Sequence, residues 1–272
     1  MSSPSLLDNL LTPPIDTVLM DLDGTVYHVD HAVPGAIEFL RELERRSIRY
    51  ACLSNSGSSP RRVRERLAGM GVNIDESHIY TAGVAAADYV MEHFGSQGRP
   101  RVFNLATRGV GELLFDIADF IEHSDQPCDV VIAGDPTSAL AAEDRQRTAL
   151  ALLRSGAKLV GICADRVYPS KRGIEFGGGA FCAMLSVAAS VQPVFVGKPQ
   201  PVFFHELCHR LAVSPTQCIL IGDNLESDIA GAKSVGMKSI LTLTGVARRD
   251  DVTKHQSRPD LIIDSLVDLL SP

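Results

Sequence analysis

The sequence lacks the features of membrane, secreted and nucleic-acid-binding proteins. It has no apolar run approaching the ~18 residues that a membrane span requires, so we expect no membrane partner. The segment from Met1 to Leu40 contains no Lys or Arg, whereas a secretory signal begins with positive charge, and we therefore expect a cytoplasmic protein. Lys and Arg number 26 against 33 Asp and Glu, a net charge of −7. This acidic balance predicts no nucleic-acid partner, because such partners require a basic surface.

Several nucleotide-binding and zinc-binding patterns are also missing. The six cysteines form no Cys-x-x-Cys pair, so we expect reduced, mostly buried thiols and no zinc ribbon. Gly109-Val-Gly111 lacks the third glycine of a dinucleotide fingerprint. No Lys-Ser or Lys-Thr follows Gly177-Gly-Gly179, so this segment is not a P-loop.

What is present indicates a globular α/β protein. The length of 272 residues corresponds to about two domains, and 45% hydrophobic with 22% charged residues is ordinary globular composition. Short apolar runs alternate with amphipathic stretches from residue 17 onward, which predicts a doubly wound, Rossmann-like parallel sheet. The predicted strands are 17–20, 49–53, 102–105, 130–133, 159–162, 194–196, 219–221, 239–242 and 261–263. The predicted helices are 35–46, 61–70, 84–94, 111–118 and 143–154.

Two carboxylates directly follow the first predicted strand. Asp21 and Asp23 are two residues apart, so in extended backbone they point to the same side, roughly 6.5–7 Å apart. The carboxyl ends of strands are where open α/β sheets place their ligands. Gly24 then allows the chain to turn sharply away.

Two further acids, Asp223 and Asp228, follow the predicted strand 219–221. If the two strand ends meet, four carboxylates crowd together, and two like charges about 4 Å apart repel by about 4 kcal/mol at an effective dielectric of 20. A divalent cation would offset this repulsion, and an all-oxygen donor set suits Mg²⁺. Each motif alone is also compatible with a turn or a capped helix start.

Two other segments could bind a phosphate. Ser54, Asn55 and Ser56 follow the second predicted strand and offer hydroxyl, amide and backbone N–H groups. Lys198 follows the predicted strand 194–196, where its ammonium group could offset phosphate charge. Taken singly, Ser54 is an ordinary turn residue and Lys198 a solvated loop lysine.

These four motifs, in this order, resemble the haloacid dehalogenase superfamily of phosphotransferases. The interval between Ser54 and Lys198 resembles the large α/β cap of the NagD and p-nitrophenylphosphatase-like subfamily, inserted between the second and third motifs. The segments 81–88, 177–182 and 222–232 are similar to its cap entry helix, its glycine-rich cap segment and its fourth motif. The resemblance implies a core of residues 14–79 and 194–272 and a cap of residues 80–193. It also leaves room for a homodimer through the cap.

The resemblance implies a role for each site residue. Asp21 would be the nucleophile that forms an aspartyl-phosphate, and Asp23 would protonate the leaving oxygen and then activate water. Ser54 would bind the phosphoryl group and Lys198 would neutralise it. The implied Mg²⁺ ligands are Asp21, the Asp23 carbonyl and Asp223, with Asp228 in support, and the implied substrate contacts include Gly24, Asn55 and Ser56.

One departure from the family lies in the cap. Where the family usually has Asn-x-Asp, this chain has Cys163-Ala-Asp165-Arg166. Asp165 and Arg166 either select the substrate or form a surface ion pair. Cys163 is interpreted as a buried free thiol.

Two other patterns favour ordinary explanations. His205 and His209 match the His-Glu-x-x-His zinc pattern, but Ala212 occupies the glycine position of its extension, and Phe203, Leu207 and Leu211 form an apolar stripe on the same helix. We therefore interpret this segment as an amphipathic helix. The basic run 61–66 is interpreted as a solvated helix face.

Together these observations predict a cytoplasmic, Mg²⁺-dependent phosphatase of small phosphorylated metabolites, such as a nucleoside monophosphate, a sugar or glycolate phosphate, or an aryl phosphate. Two alternatives stay open. One is a phospho-receiver switch, which also gathers acids, a Ser or Thr and a Lys around Mg²⁺. The other is a non-catalytic binder of phosphorylated ligands on the same fold.

Overall fold

The computed structural model describes residues 5–170 and 173–270, which divide into two compact units. The first unit contains the chain up to Ser54, Val63–Tyr80 and the chain from Lys198 onward. The second unit contains Asn55–Arg62 and Thr81–Gly197. Among the described residues, none of the helices is both long and apolar enough to cross a membrane.

The strands and helices alternate along most of the chain. The strands are β1 (Thr17–Asp21), β2 (Tyr27–His28), β3 (His31–Ala32), β4 (Arg49–Ser54), β5 (Ile79–Thr81), β6 (Arg101–Leu105), β7 (Asp119–Phe120), β8 (Val130–Ala133), β9 (Lys158–Gly161), β10 (Val167–Ser170), β11 (Gly173–Phe176), β12 (Val194–Phe195), β13 (Cys218–Gly222), β14 (Lys238–Thr242) and β15 (Leu261–Ile263). The helices are α1 (Leu6–Leu10), α2 (Ala36–Arg45), α3 (Pro60–Ala68), α4 (Ala82–Phe94), α5 (Arg108–Leu114), α6 (Glu143–Arg154), α7 (Gly178–Ala189), α8 (Pro201–Leu211), α9 (Ala230–Ser234), α10 (Arg249–Lys254) and α11 (Val267–Leu270).

The first unit is built on a sheet of order β15-β14-β13-β1-β4-β5, in which β15 to β4 pair in parallel. Every residue of β1 and β13 is buried, as expected for central strands covered on both faces. Neighbouring residues of β14 show both faces: Ile240 joins the large core that includes Phe39 of α2, whereas Leu241 joins a smaller core with Ile229. The doubly wound arrangement predicted from the sequence is therefore confirmed.

The second unit has its own sheet, of order β12-β9-β8-β6-β7, with parallel pairing throughout. Its core is separate and includes Phe103, Leu159 and Phe181. An antiparallel hairpin, β10 with β11, lies between β9 and α7 in the chain. A second α/β unit inserted into the first agrees with the predicted fold class.

The division of the chain differs in detail from the predicted boundaries at residues 80 and 194. Val194 pairs with Val160 and Phe195 pairs with Gly161, so the short strand β12 belongs to the second sheet and not to the core. Residues 55–62, predicted to belong to the core, pack with the second unit instead. The chain thus passes between the units after Ser54, Arg62, Tyr80 and Gly197.

Candidate active site

The carboxyl ends of three neighbouring strands carry the predicted site residues of the first unit. β1 lies between β13 and β4 in the sheet. Its last residue is Asp21, β4 ends at Ser54, and Asp223 directly follows β13. Since the three strands are parallel, these side chains share one edge of the sheet, the edge where such sheets bind ligands.

Lys198 bridges two of the acids. Its Nζ donates to Asp21 Oδ1 at 2.5 Å and to Asp228 Oδ1 at 2.6 Å. The three residues are 2%, 7% and 0% exposed, respectively, so the ion pairs are shielded from solvent. Burial alone would lower the pKa of Lys198, but the charges of Asp21 and Asp228 outweigh it and raise that pKa. The ammonium group is therefore held in its charged form.

Asp228 is placed by an unusual turn. Asn224 begins a short π-helix, Leu225–Ile229, and its Oδ1 accepts hydrogen bonds from the N–H groups of Glu226 and Ser227. Asp228 Oδ2 accepts from the backbone N–H of Asn224 at 3.1 Å, while Oδ1 binds Lys198. Both carboxylate oxygens are thus bonded, which fixes the side chain. π-Helical turns of this kind occur frequently at functional sites.

Asp223 is held by backbone that approaches it closely. Its Oδ2 accepts from the N–H of Val246 at 2.6 Å. A Cβ atom at Gly24 or at Gly245 would lie 2.4 Å or 2.0 Å from the same oxygen, so a side chain at either position would displace that carboxylate. Gly24 also has φ +86°, which a side chain would strain. Thr244 Oγ1 donates to Gly24 O at 2.6 Å and ties the two loops together.

The buried carboxylates suit a divalent cation. Asp21, Asp223 and Asp228 each offer an oxygen atom within 4.8 Å of the others. Three buried carboxylates face one ammonium group, which leaves an excess of negative charge. Burial is the main cause that raises the pKa of Asp21 well above its ordinary value and that of Asp223 to about 7. A dication would offset this excess, and all of the donors are oxygen atoms.

Asp23 occupies a different environment. Its side chain is exposed, and it lies in the loop after β1, where Gly24 N donates to Tyr27 O at 2.7 Å. Loss of hydration raises the pKa of its carboxyl group, against the opposing charges of Arg66, His28 and Lys198. Arg66 reaches this loop from α3, stacks 4.6 Å over the ring of Tyr27 and donates to Val29 O. Among the site's carboxyl groups, Asp23 is therefore the one that is open to solvent, and its pKa is raised.

Sequence reasoning missed the residues that support these carboxylates. The sequence predicts only a solvated helix face for Arg66 and no role for Val246. The Thr244-Gly245 pair after β14 was the available signal, since it follows a strand that ends at the same edge of the sheet.

The predicted cap residues Asp165 and Arg166 lie in the second unit, and so do Asn55 and Ser56, which were predicted in the core. Asn55 Nδ2 donates to Asp165 Oδ2 at 2.9 Å, a contact that was not predicted for either residue. Ser56 Oγ accepts from the N–H of Ser58 at 3.1 Å. Arg166 is exposed, and its carbonyl accepts from Gly177 N at 2.8 Å. The roles predicted for these four residues in substrate binding stay predictions.

The His-Glu-x-x-His segment lies on α8 and the basic run 61–66 lies on α3, and each helix buries apolar residues while its histidines or arginines are exposed. On α8, Phe203 and Leu207 are buried whereas His205 and His209 are exposed. Within the described residues, His205 and His209 belong to no group of three potential metal ligands. The arginines of the run 61–66 are exposed on α3, as predicted. Cys163 is a buried free thiol, and burial raises its pKa.

Comparison with known proteins finds hydrolases and phosphatases that are similar to this chain in sequence and in fold. The haloacid dehalogenase-like hydrolase family matches residues 18–118, and the HAD-hydrolase-like family matches residues 195–269. The chain is 30% identical over 244 residues to an acid sugar phosphatase of Staphylococcus aureus, covering 89% of this chain and 91% of that protein. It is 27% identical over 251 residues to the 5'-nucleotidase YutF of Bacillus subtilis, covering 92% and 95%. The solved structure of NagD from Escherichia coli superposes with a TM-score of 0.82 at 27% identity, covering 93% of this chain and 97% of that one.

Proposed function

The chain belongs to the haloacid dehalogenase-like hydrolases and to their NagD-like subfamily, and from this premise we propose that it hydrolyses small phosphate monoesters with Mg²⁺ through an aspartyl-phosphate. Phosphoric monoester hydrolysis is the activity that its relatives share. The observation that carries the finer proposal is the bond between Lys198 and Asp21. It fixes one oxygen of a buried carboxylate at the carboxyl end of the central strand, beside a second acid.

In the proposed reaction, Asp21 attacks the phosphorus atom and the bond to the leaving oxygen breaks. Lys198 holds Oδ1 of Asp21, so the carboxylate is oriented before the substrate arrives. Asp23 donates its proton to the leaving oxygen, a role that suits a solvent-open carboxyl group with a raised pKa. Ser54, with Gly24, Asn55 and Ser56, would bind the phosphoryl oxygens.

In the second half of the reaction, water replaces Asp21 on phosphorus. Asp23 has lost its proton by this stage, so it can accept one from the attacking water. The phosphorus–Asp21 bond breaks, and inorganic phosphate and the free carboxylate are regenerated. Covalent catalysis of this kind divides one difficult transfer into two easier ones.

We propose that Asp21, the Asp23 carbonyl and Asp223 bind Mg²⁺, with Asp228 in support through Lys198. When bound, the ion would offset negative charge on the transferring phosphoryl group. The excess of buried carboxylates supports this assignment.

The relatives include a sugar phosphatase and a nucleotidase, so the proposed substrate class is a small phosphorylated metabolite. The test is inorganic phosphate release from a panel of sugar phosphates, nucleoside monophosphates and p-nitrophenyl phosphate, with Mg²⁺ and with a chelator. We expect turnover that requires Mg²⁺ and falls at least about a thousandfold in Asp21→Asn, since the nucleophile is lost. Asp125→Asn, an exposed loop residue, is the matched control and should match the wild type.

Two outcomes would contradict the proposal. Binding of phosphate esters without turnover on any member of the panel would favour a non-catalytic binder. A phosphorylated protein that persists for minutes would favour a receiver-type switch. Rapid release of phosphate excludes both.

A further inference from the structure

The chain passes between the two units directly beside two of the proposed catalytic residues. Ser54 is the last residue of the first unit before the chain enters the second unit at Asn55. Lys198 is the first residue of the first unit after the chain leaves the second unit at Gly197. A single peptide bond therefore joins each catalytic residue to a residue that packs with the second unit. Whatever fixes Asn55 and Gly197 also constrains Ser54 and Lys198.

Both of these junction residues are held by the short loop after β9. Asn55 Nδ2 donates to Asp165 Oδ2 at 2.9 Å, and Gly197 N donates to Ile162 O at 2.8 Å. A Cβ atom on Gly197 would lie 2.5 Å from Ile162 O and 2.7 Å from Asn55 Oδ1. The side chain of Asn55 therefore lies against the backbone of Gly197, with no room for a further side chain between them.

The glycine-rich segment at the start of α7 fixes the backbone of this loop. Gly179 N donates to Asp165 O at 2.9 Å, and Gly177 N donates to Arg166 O at 2.8 Å. A Cβ atom on Gly177 would lie 2.1 Å from Asp165 O, and one on Gly179 would lie 2.3 Å from Ala164 O. Glycine is required at these positions because the two backbones are in direct contact. The backbone of Asp165 is thus anchored while its carboxylate binds Asn55.

The residues after Asn55 are anchored by other side chains of the second unit. Thr107 Oγ1 donates to Gly57 O at 2.5 Å, and Thr81 Oγ1 donates to Ser58 O at 2.8 Å. Asp165 therefore holds the first residue of a segment that is already fixed further along. Among these contacts, the one from Asp165 lies nearest in the chain to Ser54.

We infer that Asp165 is a positioning residue, and not a ligand of the substrate's leaving group. Through its bond to Asn55 it fixes the residue that follows Ser54, and thereby the place where Ser54 meets the phosphoryl group. This inference rests on the role proposed above for Ser54. Losing the bond removes one of the contacts that position Asn55, and a displacement of about 1 Å in a positioned group can reduce a rate by up to about a hundredfold.

The test compares Asp165→Ala with the wild type on substrates that differ only in their leaving group. The measured quantities are kcat and KM for p-nitrophenyl phosphate, glucose 6-phosphate and adenosine monophosphate, and the inhibition constant of inorganic phosphate, which has no leaving group. We expect kcat to fall by a similar factor, about tenfold, for all three substrates, and phosphate inhibition to weaken. Asp165→Asn keeps an acceptor oxygen for Asn55 and should recover to within about threefold of the wild type.

Two further variants sharpen the result. Asn55→Ala combined with Asp165→Ala should be no slower than the slower single variant, because both remove the same bond. Asp125→Ala, an exposed aspartate in a loop of the same unit, should leave the kinetics unchanged. The thermal unfolding midpoint of each variant separates a kinetic effect from loss of folded protein.

A change in KM that differs among the leaving groups, with an unchanged phosphate inhibition constant, would overturn the inference and make Asp165 a substrate contact. Unchanged kinetics in Asp165→Ala would also overturn it. A wild-type protein without turnover, or an Asp21→Asn variant that keeps it, would instead contradict the proposed function. The two failures are therefore distinguishable.

Discussion

At the scale of single residues, Lys198 is the cation on which the buried acids depend. It is 2% exposed and binds both Asp21 and Asp228. Removing one member of a buried ion pair leaves the other charge uncompensated, which typically costs about 3–5 kcal/mol. The same removal takes away the group that orients the proposed nucleophile.

Lys198→Met is therefore expected to abolish phosphatase activity and to lower the free energy of unfolding by about 3 kcal/mol at pH 8 in the absence of Mg²⁺. The charge of Lys198 lowers the pKa of Asp21, so without the ammonium group Asp21 holds its proton more tightly in the folded state. The deficit in the free energy of unfolding should therefore shrink as the pH falls toward 5. Urea denaturation at pH 8 and at pH 5 measures the free energy of unfolding of the wild type and of the variant. Lys233→Met removes a half-exposed lysine that also binds an acid, Asp260, and should cost much less. Equal losses in the two variants would contradict the central role of Lys198.

Gly245 sets the position of Asp223. A Cβ atom there would lie 2.0 Å from Asp223 Oδ2, so Gly245→Ala must displace that carboxylate. We expect the variant to bind Mg²⁺ at least about tenfold more weakly, because hard cations require well-placed oxygen ligands. Isothermal titration calorimetry with MgCl₂ measures this. Gly111→Ala is the control, since a Cβ atom on Gly111 meets only ordinary contacts at 3.4 Å, and unchanged affinity in Gly245→Ala would contradict the proposed metal site.

The residues that carry chemistry could be identified from sequence, whereas those that support them could not. Asp21 and Asp223 lie at the ends of two neighbouring apolar strands, and parallel strands bring such positions to one edge. Lys198 follows β12 of the other sheet, so its place beside Asp21 could be predicted only from the family resemblance. Arg66 contributes a cation to that edge from helix α3, and Val246 contributes a backbone N–H group from the loop after β14. A backbone N–H carries no residue signature, so its contact with Asp223 depends on tertiary structure alone.

At the scale of elements, the register between β6 and β8 is reinforced by one carboxylate. Asp129, just before β8, accepts hydrogen bonds from the Arg101 side chain and, at 2.8 Å, from the Arg101 backbone N–H. The Arg101 side chain is the largest cause of the lowered pKa of Asp129. A lowered folded-state pKa gives stability above the unfolded value near 4, and that stability is lost as the pH falls through the folded value.

Asp129→Asn is accordingly expected to lower the Tm by about 1–2 °C at pH 7, a small effect because the pair is partly exposed and screened by solvent. The difference from the wild type should narrow as the pH falls from about 4 through the lowered pKa of the folded protein, because the wild-type carboxylate then takes up its proton. Thermal unfolding followed by circular dichroism at pH 7 and pH 3.5 measures both. A difference that widens in acid would contradict the assignment.

Long periodic elements were predictable, whereas the two-residue strands β2, β3 and β7 were not. α2 was predicted at 35–46 and lies at Ala36–Arg45, with Leu40 and Leu43 buried. The strand predicted at 194–196 is present as β12, Val194–Phe195, but its pairing with β9 depends on tertiary structure and could not be predicted. The π-helix Leu225–Ile229 depends on the Asn224 cap and on the bonds of Asp228, and an α-helix start would give the same sequence pattern.

At the scale of the whole molecule, the two units have separate hydrophobic cores, and the proposed metal ligands all lie in the first. A ligand that binds only the folded state stabilises it by about 2.7 kcal/mol at 100 times its Kd. The first unit should therefore gain more from Mg²⁺ than the second.

Amide hydrogen exchange, measured with and without Mg²⁺, tests whether the ion stabilises the first unit more than the second. We expect slower exchange in β1 and β13 when Mg²⁺ is present, and little change in β8, which belongs to the sheet of the second unit. Asp223→Asn should remove the difference, because it removes one of the proposed ligands. Equal protection of both sheets would contradict a metal site confined to the first unit.

The inserted position of the second unit also bears on how the chain folds during synthesis. One edge of β1 pairs with β13, beginning with Thr17 and Cys218, so this edge stays unpaired until β13 has been synthesised. The second unit needs nothing beyond Gly197 and can complete its sheet while the ribosome is still adding the last strands. The nascent chain therefore carries one finished unit and one open sheet edge at β1. For that interval, the strand that ends in Asp21 presents an unpaired edge to which other chains or chaperones can bind.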